Sequence, residues 1–146
     1  MKAAAAIAGL MLAPLLGGCG FDVMYADWKV DRLCKVDGGV RVESTDVLPA
    51  ELKRADGSID LLKLIRADDG QPFYLLTASR TIQSHAPEII RMEFGLVRRA
   101  DNKLLGTGVQ YVRPTQNQGI LFLRFKAHNC PSNDVLMSLV DAIFTK

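Results

Sequence analysis

Through the second half of the chain, apolar and polar residues alternate with a period of two. Ile90, Met92, Phe94 and Leu96 fall on one side of an extended segment, with Arg91 and Glu93 on the other. That is the pattern of a half-buried strand. The run Phe73–Gln83 before it reads the same way, and Ser84-His85-Ala86-Pro87 between them reads as a turn. Beyond a hairpin turn at Ala100-Asp101-Asn102-Lys103, Leu105, Thr107, Val109 and Tyr111 alternate with Gly106, Gly108 and Gln110. Residues 114–119 then read as a turn and residues 120–126, ILFLRFK, as another strand. These spacings predict an antiparallel meander of four strands.

The period changes at both ends of this block. Val135, Leu136, Leu139, Val140, Ile143 and Phe144 recur at helical spacing, so residues 132–144 form an amphipathic helix whose apolar face packs on the sheet. Ser132 or Asn133 can cap it, and Asp134 suits its positive first turn. Residues 26–35, ADWKVDRLCK, read as a short helix with a loose stripe of Trp28, Val30, Leu33 and Cys34. Trp28, the single tryptophan, is expected in the core, the alternative being a place at the membrane interface, where amphipathic rings often rest. This helix stops at Asp37-Gly38-Gly39, where glycine admits the backbone of a helix end. Val40-Arg41-Val42-Glu43-Ser44 alternates as a strand, and residues 49–57 form a loop or one helical turn. Residues 59–67, IDLLKLIRA, fit either period. A strand is expected, because the turn Asp68-Asp69-Gly70 and a β-rich run follow. The sum is an α+β fold: an antiparallel meander sheet of about four to six strands with an N-terminal and a C-terminal helix.

Ahead of this domain, Lys2 is followed by an apolar run over residues 3–16. About 14 residues is short of the roughly 20 that span a bilayer, and a charged start with a short apolar region is the layout of a secretory signal. The run ends in Leu16-Gly17-Gly18-Cys19, which resembles the lipobox of bacterial lipoproteins. The resemblance implies cleavage before Cys19, a diacylglycerol thioether on its sulfur and acylation of the new amino terminus. Residues 1–18 are then a signal peptide, residues 19–25 a lipidated tether reaching about 25 Å at full stretch, and residues 26–146 one α+β domain. Gly20, rather than Asp, follows the cysteine; in the enterobacterial members of the family Asp there retains the protein in the inner membrane. The expected location is therefore the outer membrane, facing the periplasm. The segment Trp28 to Val42, WKVDRLCKVDGGVRV, is similar to a stretch in small proteobacterial lipoproteins that carry no assigned activity.

Composition and cysteine usage narrow the chemistry. The formal net charge is +2, and basic residues are scattered among acidic ones, which argues against a nucleic-acid partner. With Cys19 carrying lipid, Cys34 and Cys130 remain as an even pair in an oxidising compartment, and a disulfide is expected. The rival is a catalytic thiol at one of them with His85 or His128 as base. Both histidines read better as surface residues, and Ser84-His85 adjacency does not make a nucleophile–base pair. No nucleophile elbow, metal-ligand spacing or phosphate loop is present, so no catalytic residue, cofactor or metal ligand is assigned. Asp68-Asp69 fits a solvated turn, and the spacing of Glu43, Asp46, Glu88 and Glu93 gives no sign that they meet. Arg91, Arg98, Arg99, Arg113, Arg124 and Lys126 lie on meander strands and would suit an anionic partner if they clustered. The expected function is a lipid-anchored, non-enzymatic binding module for an envelope protein or glycan, or for a secreted protein. The alternative is a cysteine- or serine-dependent hydrolase acting on peptidoglycan or lipid.

Overall fold

The computed structural model describes residues 3–66, 70–118 and 123–145. The chain runs through α1 (Ala3–Asp37), β1 (Gly39–Val42), β2 (Asp46–Val47), a 3-10 turn (Ala50–Leu52) and α2 (Leu61–Arg66). It continues through β3 (Phe73–Gln83), β4 (Ile89–Arg98), β5 (Lys103–Arg113), β6 (Gln116–Gln118), β7 (Leu123–Phe125), β8 (His128–Cys130), α3 (Val135–Ile143) and β9 (Phe144–Thr145). The main sheet has 5 strands in the order β1-β5-β4-β3, with β8 also pairing β5. All its pairs are antiparallel, so the α+β class expected from the sequence is the one observed.

Its two faces carry different helices. On one face Gly106 and Gly108 lie beneath α3, and a Cβ at Gly106 would stand 2.8 Å from the Arg41 carbonyl and 3.0 Å from Ile143. Leu96, Leu105, Leu139, Val140 and Ile143 form the main core there, closed by Leu52, Leu64, Phe73 and Phe144. On the other face Ala26 and Val30 of α1 pack on Ile89 and Tyr111. The sheet is thus sandwiched between its N- and C-terminal helices. Gly106→Ala should cost about 1–3 kcal/mol, because the added methyl meets a backbone carbonyl that cannot step aside. Urea denaturation measures the loss, and an unchanged midpoint would contradict this packing.

Several local expectations are corrected. Within the strand expected at residues 59–67, Leu61–Arg66 form a helix, and residue 67 lies outside the described residues. Asp60 caps α2 by accepting from the Leu62 amide at 3.2 Å, and Leu64 is fully buried while Leu62 and Ile65 face outward. The cap of α3 is Asp134, whose carboxylate accepts from the Leu136 and Met137 amides, rather than Ser132 or Asn133. Within the expected turn and strand of residues 114–126, Gln116–Gln118 and Leu123–Phe125 pair with each other as β6 and β7 while residues 119–122 lie outside the described residues, and β8 takes the place beside β5. Alternation along β5 breaks where a register shift opposite Leu96 and Val97 turns Leu105 into the α3 core beside Gly106. The expected tether at residues 19–25 is helical, because α1 runs through it, and Val23 is buried. Asp68, Asp69 and the side chains of Leu16-Gly17-Gly18-Cys19 lie outside the described residues.

Candidate functional site

Helix α1 covers only part of its face of the sheet. It ends at Asp37, where the Gly38 amide donates to the Cys34 carbonyl at 2.7 Å, and Gly39 takes a φ of +102°. A Cβ at Gly38 would lie 2.6 Å from both the carbonyl oxygen and the sulfur of Cys34. Past that stop the sheet lies open, forming a groove of about 690 Å³. Leu76 and Ala78 of β3, Gly95 of β4 and Leu104, Thr107 and Val109 of β5 line its apolar part, and Val36 to Arg41 form the rim on the helix side. Leu76 is 52 % and Leu104 40 % exposed. Apolar surface gathered in one concavity marks a binding site better than scattered exposed leucines do.

The charged groups at the helix end of the groove are already partnered. Arg91 donates to Asp37 Oδ2 at 2.8 Å and to the Tyr111 hydroxyl at 3.1 Å, and it also meets Glu93. Tyr111 in turn donates to Asp37 Oδ1 at 2.8 Å. Burial alone would raise the Asp37 pKa, but the hydrogen bonds from Arg91 and Tyr111 and the Arg91 charge outweigh it and hold the carboxyl below its ordinary value. Burial and the hydrogen bond to Asp37 push the Tyr111 phenol up. A folded-state pKa below the unfolded one means the stabilisation is fully present above about pH 5 and is lost as pH falls through the folded value. The Asp37 carboxyl should therefore titrate below an ordinary aspartate by NMR, and Tyr111→Phe should raise its midpoint. An unmoved midpoint would deny the hydrogen bond.

The same helix is pinned elsewhere by side chains of opposite character. Asp27 forms a two-pronged ion pair with buried Arg113, Lys29 donates to Gln83 at 2.9 Å, and Asp31 meets His128 Nε2 at 2.8 Å. Cys34 and Cys130 form a disulfide with their Cα atoms 5.8 Å apart, as the cysteine count predicts. Neither sulfur is a free thiol. The Asp31–His128 pair resembles the orienting half of a catalytic triad, but among the described residues no serine or threonine hydroxyl is hydrogen-bonded to it. Ser84 and His85 lie exposed in the turn between β3 and β4.

The remaining sequence candidates scatter. Arg98 is shared between Asp46 and Asp101, Arg99 donates to the Gln71 carbonyl and covers the Tyr74 ring, and Arg113 is buried. The strand arginines thus serve different partners rather than forming one cationic patch. Asp46, Glu88 and Glu93 likewise serve different partners: Asp46 meets Arg98, Glu93 meets Arg91 and Glu88 accepts from Thr81, while the Glu43 amide donates to the Leu105 carbonyl. Trp28 is not in the core but 51 % exposed on the outer side of α1. Phase is the reason. The positions of α1 facing the sheet are Val23, the adjacent pair Ala26 and Asp27, Val30, Cys34 and Asp37, recurring every three or four residues, and Trp28 falls between them on the far side. The groove has no sequence motif of its own. The chain matches no protein-family model, no curated protein and no solved structure.

Proposed function

We propose that this chain is a lipid-anchored cell-envelope protein that binds an apolar segment of another envelope protein, without catalysis, in the groove beyond α1. The groove carries the reading. Leu76, Ala78, Leu104 and Val109 give the floor a large apolar share beside Thr107 and half-exposed Glu93, and the Arg91 charge is satisfied by Asp37 and Glu93, so it favours uncharged side chains over an anionic group. Beside it, β3 pairs on one side only among the described residues, which leaves main-chain groups for an extended segment to meet. The anchor rests on Leu16-Gly17-Gly18-Cys19: cleavage before Cys19 and its acylation place the domain on the membrane, and Gly20 favours the outer membrane with the domain in the periplasm. The alternative of a cysteine hydrolase is disfavoured by the disulfide, which occupies Cys34 and Cys130.

The test is photo-crosslinking in the native envelope from the full chain carrying Leu76→p-benzoylphenylalanine. A discrete protein adduct is expected from that position. It should disappear with Gly95→Val, whose added side chain grows toward Leu104 and Leu76, 3.3 and 3.6 Å from the new Cβ, and fills the floor without adding charge. No adduct, or an equal adduct from Ser84 in the exposed turn, would overturn the groove. Intact mass reads the anchor separately: acyl mass is expected on Cys19, and Cys19→Ser should release the protein from membranes.

A further inference from the structure

The outer side of α1 carries a second feature that the groove does not use. Phe21, Met24, Tyr25 and Trp28 are 68 %, 67 %, 60 % and 51 % exposed. At about 100° per residue they fall on one stripe, opposite Val23, Ala26 and Val30, which face the sheet. The Tyr25 and Trp28 rings stack at 5.6 Å, and the Arg32 guanidinium lies 5.3 Å from the Trp28 ring. Exposed Lys35 continues the same stripe one turn further on. Large apolar groups in contiguous exposure need an occupant.

We propose that this stripe lies in the headgroup region of a bilayer, with α1 parallel to the membrane plane. Amphipathic rings of Trp and Tyr favour that region, where long basic side chains keep their charge in water while their stems cover apolar surface. Arg32 and Lys35 supply the cations that complement anionic lipid headgroups. Position supports the same occupant. Phe21 follows Cys19 by one intervening residue, so the stripe begins where acyl chains would enter the bilayer. In this respect the inference rests on the proposed anchor. Such a helix acts as a second attachment beside the lipid, and it fixes which side of the domain faces away from the membrane.

Trp28 is the sole tryptophan, so the intrinsic tryptophan emission reports this stripe alone. The full chain purified from membranes is reconstituted into vesicles of phosphatidylethanolamine and phosphatidylglycerol, with or without bromine on the acyl chains. Quenching by the brominated lipid of about twofold is expected for a ring at interfacial depth. Phe21→Ser with Tyr25→Ser, both on exposed positions, should remove most of it. Unquenched emission from protein that floats with the vesicles would overturn the stripe and leave the anchor standing. Blue emission that grows with protein concentration and ignores the brominated lipid would also overturn it, in favour of a second copy of the chain. Intact mass on the same sample reads the anchor independently. Quenching without acyl mass on Cys19 would keep the stripe and remove the lipid, whereas neither quenching nor acyl mass would remove both.

Discussion

Replacing Cys34 and Cys130 together by alanine is expected to lower the unfolding free energy by about 4–5 kcal/mol, the chain-entropy value for a loop of this size. The bridge spans a sequence separation of 96 and ties the last turns of α1 to β8. Its effect should be concentrated on α1, because the buried cluster beneath that helix is small: Ala26, Val30, Ile89 and Tyr111. The core under α3 is larger and holds no cysteine. Urea denaturation of the oxidised protein and the double variant measures the total. Hydrogen exchange measures the distribution, and amides of residues 26–37 should lose protection well before those of β4 and β5. A loss below about 1 kcal/mol, the size of an ordinary surface change, would show that α1 is held without the bridge.

The second large effect is expected at Asp27. Arg113 is 2 % exposed, and its guanidinium is shared among Asp27, the Lys126 carbonyl at 2.7 Å and the Pro114 carbonyl at 3.1 Å. Asp27→Ala leaves that cation buried without its counter-charge, at a cost of about 3 kcal/mol. Arg113→Met should cost less. It removes the buried charge itself, while the Asp27 side chain, 31 % exposed, can return to water. The double variant should therefore be less destabilised than the two single losses added together. Urea curves at neutral pH for the three variants decide this. If Arg113→Met proves the more damaging single change, the methylene packing of Arg113 outweighs its charge.

How far each feature could be read from the sequence follows from what holds it in place. Strands β3, β4 and β5 were legible because one face of each meets a core, and alternation survives wherever a face is buried. It failed at Leu105, where a register shift brings two neighbouring residues to one side. Helix α2 was missed because its few residues give less than two turns of pattern, and its capping by Asp60 depends on a chain path that brings residue 60 beside Leu52. Helix α1 was legible as a helix but its orientation was not. Its inward stripe mixes Val23, Ala26 and Val30 with Asp27, Asp31 and Asp37, and an apolar count reads those acids as solvent-facing. Trp28 was then drawn inward by default. The disulfide was expected once Cys19 was set aside for lipid, because Cys34 and Cys130 are then the two cysteines left. The groove was not legible at all, since it arises from the point at which α1 ends over a sheet that continues past it.

That ending gives the fold a particular freedom under mutation. The vacancy over Leu76, Gly95 and Leu104 begins where α1 stops, at Gly38 and Gly39, and the missing side chain of Gly95 keeps its floor low. Floor residues that keep their size can therefore drift without closing the space, whereas bulk added at Gly95 fills it. The same stop also starts the sheet, because Gly39 pairs at once with Val109, so the end of the helix and the beginning of β1 are set by the same two residues.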